Sequence, residues 1–228
     1  MAAYAIILAG GRGVRIGGET PKQYLPVKGV PLFIYSLRKL ASFEPVSKIV
    51  IVVSEEWKQF VLDSVAHEGL EGRVICALSG ATRQHSVLNG LHALEGIAGD
   101  DDPVFVHDSV RPLFPLSNLN DGLAAMEKFD VALPVISVKD ATYHSADGEQ
   151  LTSILPREEL YSGQSPECLR FGPFLRAHSE FSDEEIGSIR GCSELAFKAG
   201  LRVKLIPGIE QNFKITTKED LQAFTLLA

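Results

Sequence analysis

The chain is short of cysteine, short of positive charge, and without any apolar run of membrane-crossing length. Its three cysteines, Cys76, Cys168 and Cys192, stand far apart, and no Cys-x-x-Cys pair occurs. That speaks against a disulfide framework or a structural zinc site. The longest apolar runs, such as residues 4–9 and 49–53, are too short to cross a bilayer. No basic stretch precedes them, so no secretory leader is read and a cytoplasmic protein is expected. Lys and Arg number 22 against 29 Asp and Glu, a formal net charge of −7, which excludes a general nucleic-acid binder. Neither an internal repeat nor a linker breaks the chain, so residues 1–228 are expected to form one domain. Hydrophobic residues at 45% and charged residues at 22% exclude a disordered one. An acidic protein still binds an anionic nucleotide where a few cations are focused in one cleft. The informative places are therefore those where Arg and Lys meet glycine.

What is present is an alternation of two periods. Residues 4–8 form a continuous apolar run, the pattern of a buried parallel strand. A glycine-rich loop follows, Ala9-Gly10-Gly11-Arg12-Gly13-Val14-Arg15. Helical spacing is read over 31–41, 55–66 and 84–94, the last with Val87, Leu88, Leu91 and Leu94 on one face. Strands are read over 48–53, 73–77 and 103–106, the last ending at His107-Asp108. Strands separated by helical stretches mean βαβ units. The expected fold is α/β, a Rossmann-like, mostly parallel sheet with helices on both faces. After a strand at 131–135, residues 137–157 turn polar, with a turn signal at Asp147-Gly148. They read as a protruding β-hairpin arm. A lone hairpin is marginal in water, so a second copy of the chain is expected to cover it. Helices at 174–178 and 192–199, a strand at 201–206 and a final helix capped by Thr217 complete the reading, with Glu219 and Asp220 favouring the helix's positive end.

Four segments at strand ends carry candidate chemistry, because ligands of open α/β sheets sit beyond the carboxyl ends of strands. In the first, Gly10, Gly11 and Gly13 let the backbone approach a phosphate, and Arg15 and Lys22 add fixed charge. A dinucleotide fingerprint fails there because Ile16 stands where glycine is needed. A Walker loop fails because Gly18 is followed by Glu19-Thr20. The second segment is 79–86, where Gly80 permits close approach and Arg83 and Ser86 can donate to oxygens. A helix cap with an exposed turn explains it equally well. The third is His107-Asp108-Ser109-Val110-Arg111-Pro112. A carboxylate at a strand's end holds a divalent ion or a hydroxyl, or else pairs with Arg111 to close a loop. The fourth is Asn212-Phe213-Lys214-Ile215-Thr216, where Lys214 either points inward or lies on a solvated strand edge. No activated nucleophile accompanies these segments. What remains is phosphoryl-type chemistry by positioning and charge neutralisation.

Taken in order, five motifs resemble one family: Leu8-Ala-Gly-Gly-x-Gly-x-Arg15, Pro21-Lys-Gln-Tyr24, Thr82-Arg-Gln-x-Ser-Val87, His107-Asp-Ser-x-Arg-Pro112 and Asn212-x-Lys-Ile-Thr216. It is the CTP-dependent cytidylyltransferase family, with a methylerythritol 4-phosphate branch and a ribitol 5-phosphate branch. The resemblance runs from about residue 6 to about residue 224. It implies attack by an acceptor phosphate on the α-phosphorus of CTP, with Mg²⁺ on the triphosphate and a homodimer joined through the arm. It makes Arg15, Lys22, Lys214 and Asp108 the catalytic set, Asp108 also standing near the metal. It makes Ala9, Gly10, Gly11, Gly13, Gly80, Ala81, Arg83, Ser86 and Ser109 the CTP-binding set. Arg157, Thr142, Ser165, Arg190 and Asp108 are left for the acceptor, with Arg157 reaching a partner's site.

The departures from that family concern the acceptor. Ser165-Pro166-Glu167 replaces Thr-Pro-Gln, so an amide has become an acid. Asp140-Ala141-Thr142 shifts the threonine of the arm, and Arg190-Gly191 replaces Thr-Asp. Tyr161-Ser-Gly-Gln164 looks like the pentitol branch. The sequence therefore leans to ribitol 5-phosphate, with methylerythritol 4-phosphate as the alternative. Two further classes stand beside these: a sugar-nucleotide synthase using UTP or GTP, and a nucleotide-binding homologue without catalysis.

Overall fold

A computed structural model describes residues 2–11 and 20–228. Strand β1 (Ala3–Leu8) leads to a 3-10 turn at Lys22–Tyr24 and a small hairpin of β2 (Pro26–Val27) and β3 (Val30–Pro31). Lys28 and Gly29 turn that hairpin at φ of 47° and 81°. Next come α1 (Leu32–Ala41), β4 (Val46–Val53), α2 (Lys58–His67), β5 (Val74–Leu78), α3 (Arg83–His92), β6 (Pro103–Asp108), α4 (Leu116–Ala125) and β7 (Val131–Ser137). The hairpin arm is β8 (Thr142–His144) and β9 (Ser153–Leu155). The chain returns through β10 (Tyr161–Gly163), β11 (Glu167–Arg170), α5 (Phe171–His178), α6 (Asp183–Ser188), α7 (Cys192–Lys198), β12 (Val203–Pro207) and α8 (Lys218–Leu227).

One eight-stranded sheet organises these elements, in the order β10-β7-β11-β6-β1-β4-β5, with β12 on β7. Strands β6, β1, β4 and β5 are mutually parallel. Alternation along β1 explains its continuous apolar run. Ala3, Ala5 and Ile7 enter one core with Phe33, Leu37 and Phe105, while Tyr4 and Ile6 enter the other with Val87, Leu91 and Phe174. Both faces are covered, so no residue of the strand is free to be polar. A third cluster of Val27, Leu32, Val110, Ile215 and Phe224 pins residues 212–216 and α8 beside the β2–β3 hairpin.

Several boundaries and elements differ from the sequence reading. Residues 55–57 form a 3-10 turn before α2. Helices α4 and α6 were not anticipated, nor were the antiparallel strands β10 and β11. Residues 212–216 are extended loop rather than strand, so Lys214 is not an edge-strand residue. Strands β10 and β11 both pair with β7. Gly163 faces Val135 and Cys168 faces Ala132, five residues of one strand against three of the other, so the chain bulges between them. In the arm, Asp147 Oδ1 accepts from Ser145 Oγ and from the amides of Glu149 and Gln150, each at 2.9 Å, and Gly148 takes φ of 79°. Thr217 caps α8 in a capping box with Asp220, as its sequence position suggested. Among the described residues no helix is long and apolar enough to cross a membrane.

Candidate active site

The parallel strands deliver three of the predicted segments to one end of the sheet. β1 ends at Leu8 and passes into Ala9-Gly10-Gly11. β5 ends at Leu78 and passes into 79–86, where Thr82 caps α3 by accepting from the His85 amide. β6 ends at Asp108. Two more elements converge from far along the chain. The 212–216 loop is drawn in by Ile215, whose amide donates to Val110 O at 3.0 Å. Strand β11 runs antiparallel beside β6 with Glu167 opposite Val106, so Glu167 lies next to the end of β6.

Asp108 is the centre of charge. Its Oδ2 accepts from Lys214 Nζ at 2.8 Å and lies 3.8 Å from Arg111 Nε. Its Oδ1 lies 3.4 Å from both Nε and Nη2 of Arg83. Burial opposes ionisation of Asp108, but Arg83 and Lys214 outweigh it and hold the carboxyl below its ordinary range. Burial likewise opposes the Arg83 charge, and Asp108, Cys192 and Glu167 overcome it. Arg83 Nη2 also meets Glu167 Oε1 at 3.4 Å, and Glu167 Oε2 accepts from the amide and the hydroxyl of Ser193, each at 2.9 Å. Three cations and two carboxylates thus alternate in one mostly buried cluster.

Behind the cluster runs a chain of neutral hydrogen bonds. The Asp108 amide donates to Ser165 Oγ at 3.1 Å, and Ser165 Oγ contacts His107 Nδ1 at 3.1 Å. His107 Nε2 meets Ser36 Oγ, whose hydroxyl donates to Ser109 O, both at 3.2 Å. His107 is fully buried, and burial pushes its pKa down to about 3, so the ring is neutral and structural. Ser165 and Ser109 are each 2% exposed. Ser165, assigned to the acceptor from its motif, is committed here to holding Asp108. Asn212 Nδ2 donates to Ser165 O at 2.8 Å, which ties the 212–216 loop to the same scaffold.

The glycine loop is anchored from below. Ala9 O accepts from Gln23 Nε2 and from Tyr24 Oη, both at 2.7 Å, and Gln23 also donates to Gly11 O at 2.6 Å. Lys22 is buried and donates from Nζ to Ile215 O at 2.7 Å. A Cβ on Gly10 would meet Ser79 Cβ at 2.4 Å, whereas one on Gly11 would meet nothing within 4 Å. Gly10 is thus a packing requirement, and Gly11 has room for a Cβ among the described residues. Gly13 and Arg15 lie outside the described residues.

The second segment is both cap and loop. The Gly80 amide donates to Ser86 Oγ at 3.0 Å, and Ser86 in turn donates to Thr82 O at 2.9 Å. A Cβ on Gly80 would meet His85 Cβ at 2.4 Å. Ala81 is exposed beside them. Arg157 and Thr142 are not joined to the cluster. Arg157 meets Glu158 and Lys139 O, and Thr142 donates to Asp140 O, all near or within the arm. Arg190 is exposed, and its amide donates to Glu194 Oε2 at 2.9 Å.

Glu167 and Ser193 are the parts of the cluster that motif reading did not assign. Their proximity to Arg83 follows from the β11–β6 register, which no local pattern encodes. Among the described residues, no group of three His, Cys, Asp or Glu side chains converges as a metal site. Asp108 is one carboxylate already facing cations. The described residues therefore do not fit a protein-built Mg²⁺ site.

Comparison with known proteins gives the family. The sequence profile of the IspD family, described as 2-C-methyl-D-erythritol 4-phosphate cytidylyltransferase, matches residues 3–227. A relative of that name from Carboxydothermus hydrogenoformans is 34% identical, covering 95% of this chain and 91% of its own. A ribitol-5-phosphate cytidylyltransferase from Lactiplantibacillus plantarum is 30% identical, covering 98% and 97%. The crystal structure of the Francisella tularensis 2-C-methyl-D-erythritol 4-phosphate cytidylyltransferase shares the fold, with a TM-score of 0.85 over all of both chains at 22% identity. With the profile spanning nearly every residue and the glycine loop, Asp108 and Lys214 brought to one end of the sheet, the chain belongs to the IspD family of cytidylyltransferases.

Proposed function

We propose that the protein transfers CMP from CTP onto 2-C-methyl-D-erythritol 4-phosphate, releasing pyrophosphate. The observation that carries this reading is the Asp108 cluster beside the glycine loop, with Lys214, Arg83 and Arg111 within 4 Å of one carboxylate. An oxygen of the acceptor phosphate attacks the α-phosphorus. One P–O bond forms there, and the bond to the bridging oxygen of pyrophosphate breaks. The nucleophile is ionised near neutral pH, so no general base is needed. The work left to the protein is to bring two anions together and to stabilise the charge at the transition state. Lys22, Lys214 and Arg15 are assigned that task. Gly10, Gly11 and Gly13 line the triphosphate, while Gly80, Ala81, Arg83, Ser86 and Ser109 surround the nucleoside. Mg²⁺, for which the described residues build no site, would be carried by the nucleotide's own phosphates and would supply charge neutralisation there.

The sequence leaned to ribitol 5-phosphate. The family profile and the methylerythritol names among the relatives support the other acceptor better. The ribitol reading keeps two specific supports: the Lactiplantibacillus plantarum relative and the Tyr161-Ser-Gly-Gln164 segment. Arg157 and Thr142 act from the arm of a second copy in this account. The arm's Tyr143 and Ile154, 60% and 67% exposed, are the apolar surface that a dimer would cover. Pyrophosphate release from CTP and Mg²⁺, with each acceptor in turn, tests the proposal. Release with methylerythritol phosphate alone supports it. Release with ribitol phosphate alone replaces it with the second reading, and silence with both, despite confirmed CTP binding, means a different polyol phosphate or a protein that has kept the site and lost the reaction. Sedimentation of a monomer would remove the arm from the account.

A further inference from the structure

Arg83 is held by two carboxylates and closes fully on neither. Its Nη2 lies 3.4 Å from Asp108 Oδ1 and 3.4 Å from Glu167 Oε1. A guanidinium beside one carboxylate settles into a two-pronged pair with shorter contacts. The second carboxylate prevents that here. Glu167 is itself fixed, 4% exposed and gripped through Oε2 by both donors of Ser193. It is too deeply set to meet a substrate.

We infer that Glu167 is a positioning residue for the transfer, acting through Arg83. It draws the guanidinium off Asp108, which keeps the Asp108 carboxylate shared between Arg83 and Lys214. An amide cannot do the same. Its one oxygen serves either Arg83 or Ser193, and its NH₂ then faces the other, which is also a donor. With Glu167 neutral, Arg83 collapses onto Asp108 and the local positive charge is redistributed. This inference rests on the proposed cytidylyl transfer.

The test is a double-mutant cycle on turnover, with thermal unfolding measured alongside. Glu167→Gln is expected to lower kcat/KM for the acceptor about tenfold at temperatures well below its melting point, which itself falls because a buried carboxylate is lost. In an Arg83→Lys background the same change is expected to cost under about twofold, because its target is gone. Ser193→Ala removes one of the two donors that fix Glu167 and is expected to give a partial loss, about threefold. Unchanged kcat/KM in Glu167→Gln overturns the inference. So does an equal tenfold loss in the Arg83→Lys background. Wild-type protein that releases no pyrophosphate with either acceptor would sink the function and this role together. A working wild type with an indifferent Glu167→Gln would sink the role alone.

Discussion

Lys214 Nζ lies 2.8 Å from Asp108 Oδ2, across 106 residues of chain. The two are unequally exposed: the lysine side chain is 38% exposed and the aspartate 14%. That inequality separates their mutants. Lys214→Ala is expected to cost under about 1 kcal/mol of stability, since water compensates its loss. Its turnover is expected to fall about 10²- to 10³-fold, as when a transition-state donor is removed. Asp108→Asn removes the carboxylate that Arg83, Arg111 and Lys214 share, leaving Arg83 with Glu167, and is expected to cost about 3 kcal/mol. Urea unfolding and pyrophosphate release check both. Equal stability losses would contradict the exposure argument.

Acid should destabilise the protein earlier than carboxylate titration alone requires. His107 is held at about 3, against 6.5 for the free residue, so below neutrality the unfolded chain binds its proton first. Stability then falls as pH drops from about 6.5 toward 3, at up to about 1.4 kcal/mol per pH unit from this one group. Asp108, whose pKa is also lowered, adds stability above the carboxylate range that is lost as pH falls through it. His107→Gln is expected to flatten the upper part of the decline, with His178, also held low by burial, keeping its own share. Urea midpoints between pH 7 and pH 4 are the measurement. A flat wild-type profile would refute the assignment.

Two glycines should differ in what alanine does to stability. At Gly11 an added Cβ meets nothing within 4 Å, so Gly11→Ala is expected to keep its melting temperature and lose CTP affinity. At Gly80 the Cβ meets His85 Cβ at 2.4 Å and the His85 carbonyl carbon at 2.9 Å. Gly80→Ala is therefore expected to lose about 2 kcal/mol of stability together with CTP binding. Thermal unfolding distinguishes them, and calorimetric titration with CTP checks the loss they share. Full CTP affinity in Gly11→Ala would remove that residue from the nucleotide site.

Arg157 makes its described contacts with Glu158 and Lys139, outside the Asp108 cluster. If it serves a second copy's acceptor, Arg157→Ala raises the acceptor KM about tenfold or more and leaves the CTP KM within about twofold. Equal effects on both substrates would exclude that service.

Strands β1 and β4 were legible because both of their faces are buried, which leaves an unbroken apolar run in the sequence. Helix α4 was not. Ser117, Asn118, Asn120, Asp121 and Gly122 are weak helix formers, and the helix is held by packing of Leu119 and Gly122 on the sheet. In the site, the glycine loop, Asp108 and Lys214 could be found because each sits in a local motif beside a strand or helix boundary. The Glu167–Arg83 contact could not. It depends on which strand β11 lies beside and in what register, and β11 is only four residues long. The motif suggested an acceptor ligand at Ser165, where the fold places a support for Asp108.

The clasp of residues 212–216 also sets an order in time. During synthesis the glycine loop, Asp108 and the neighbouring strands are all made before Lys214 exists. Until the 212–216 loop arrives, Lys22 lacks the Ile215 carbonyl and Asp108 lacks its closest cation. A nascent chain halted ahead of residue 212 can lay down most of its sheet and still be without a finished catalytic centre. Competence comes only once residues 212–216 have been made and have docked.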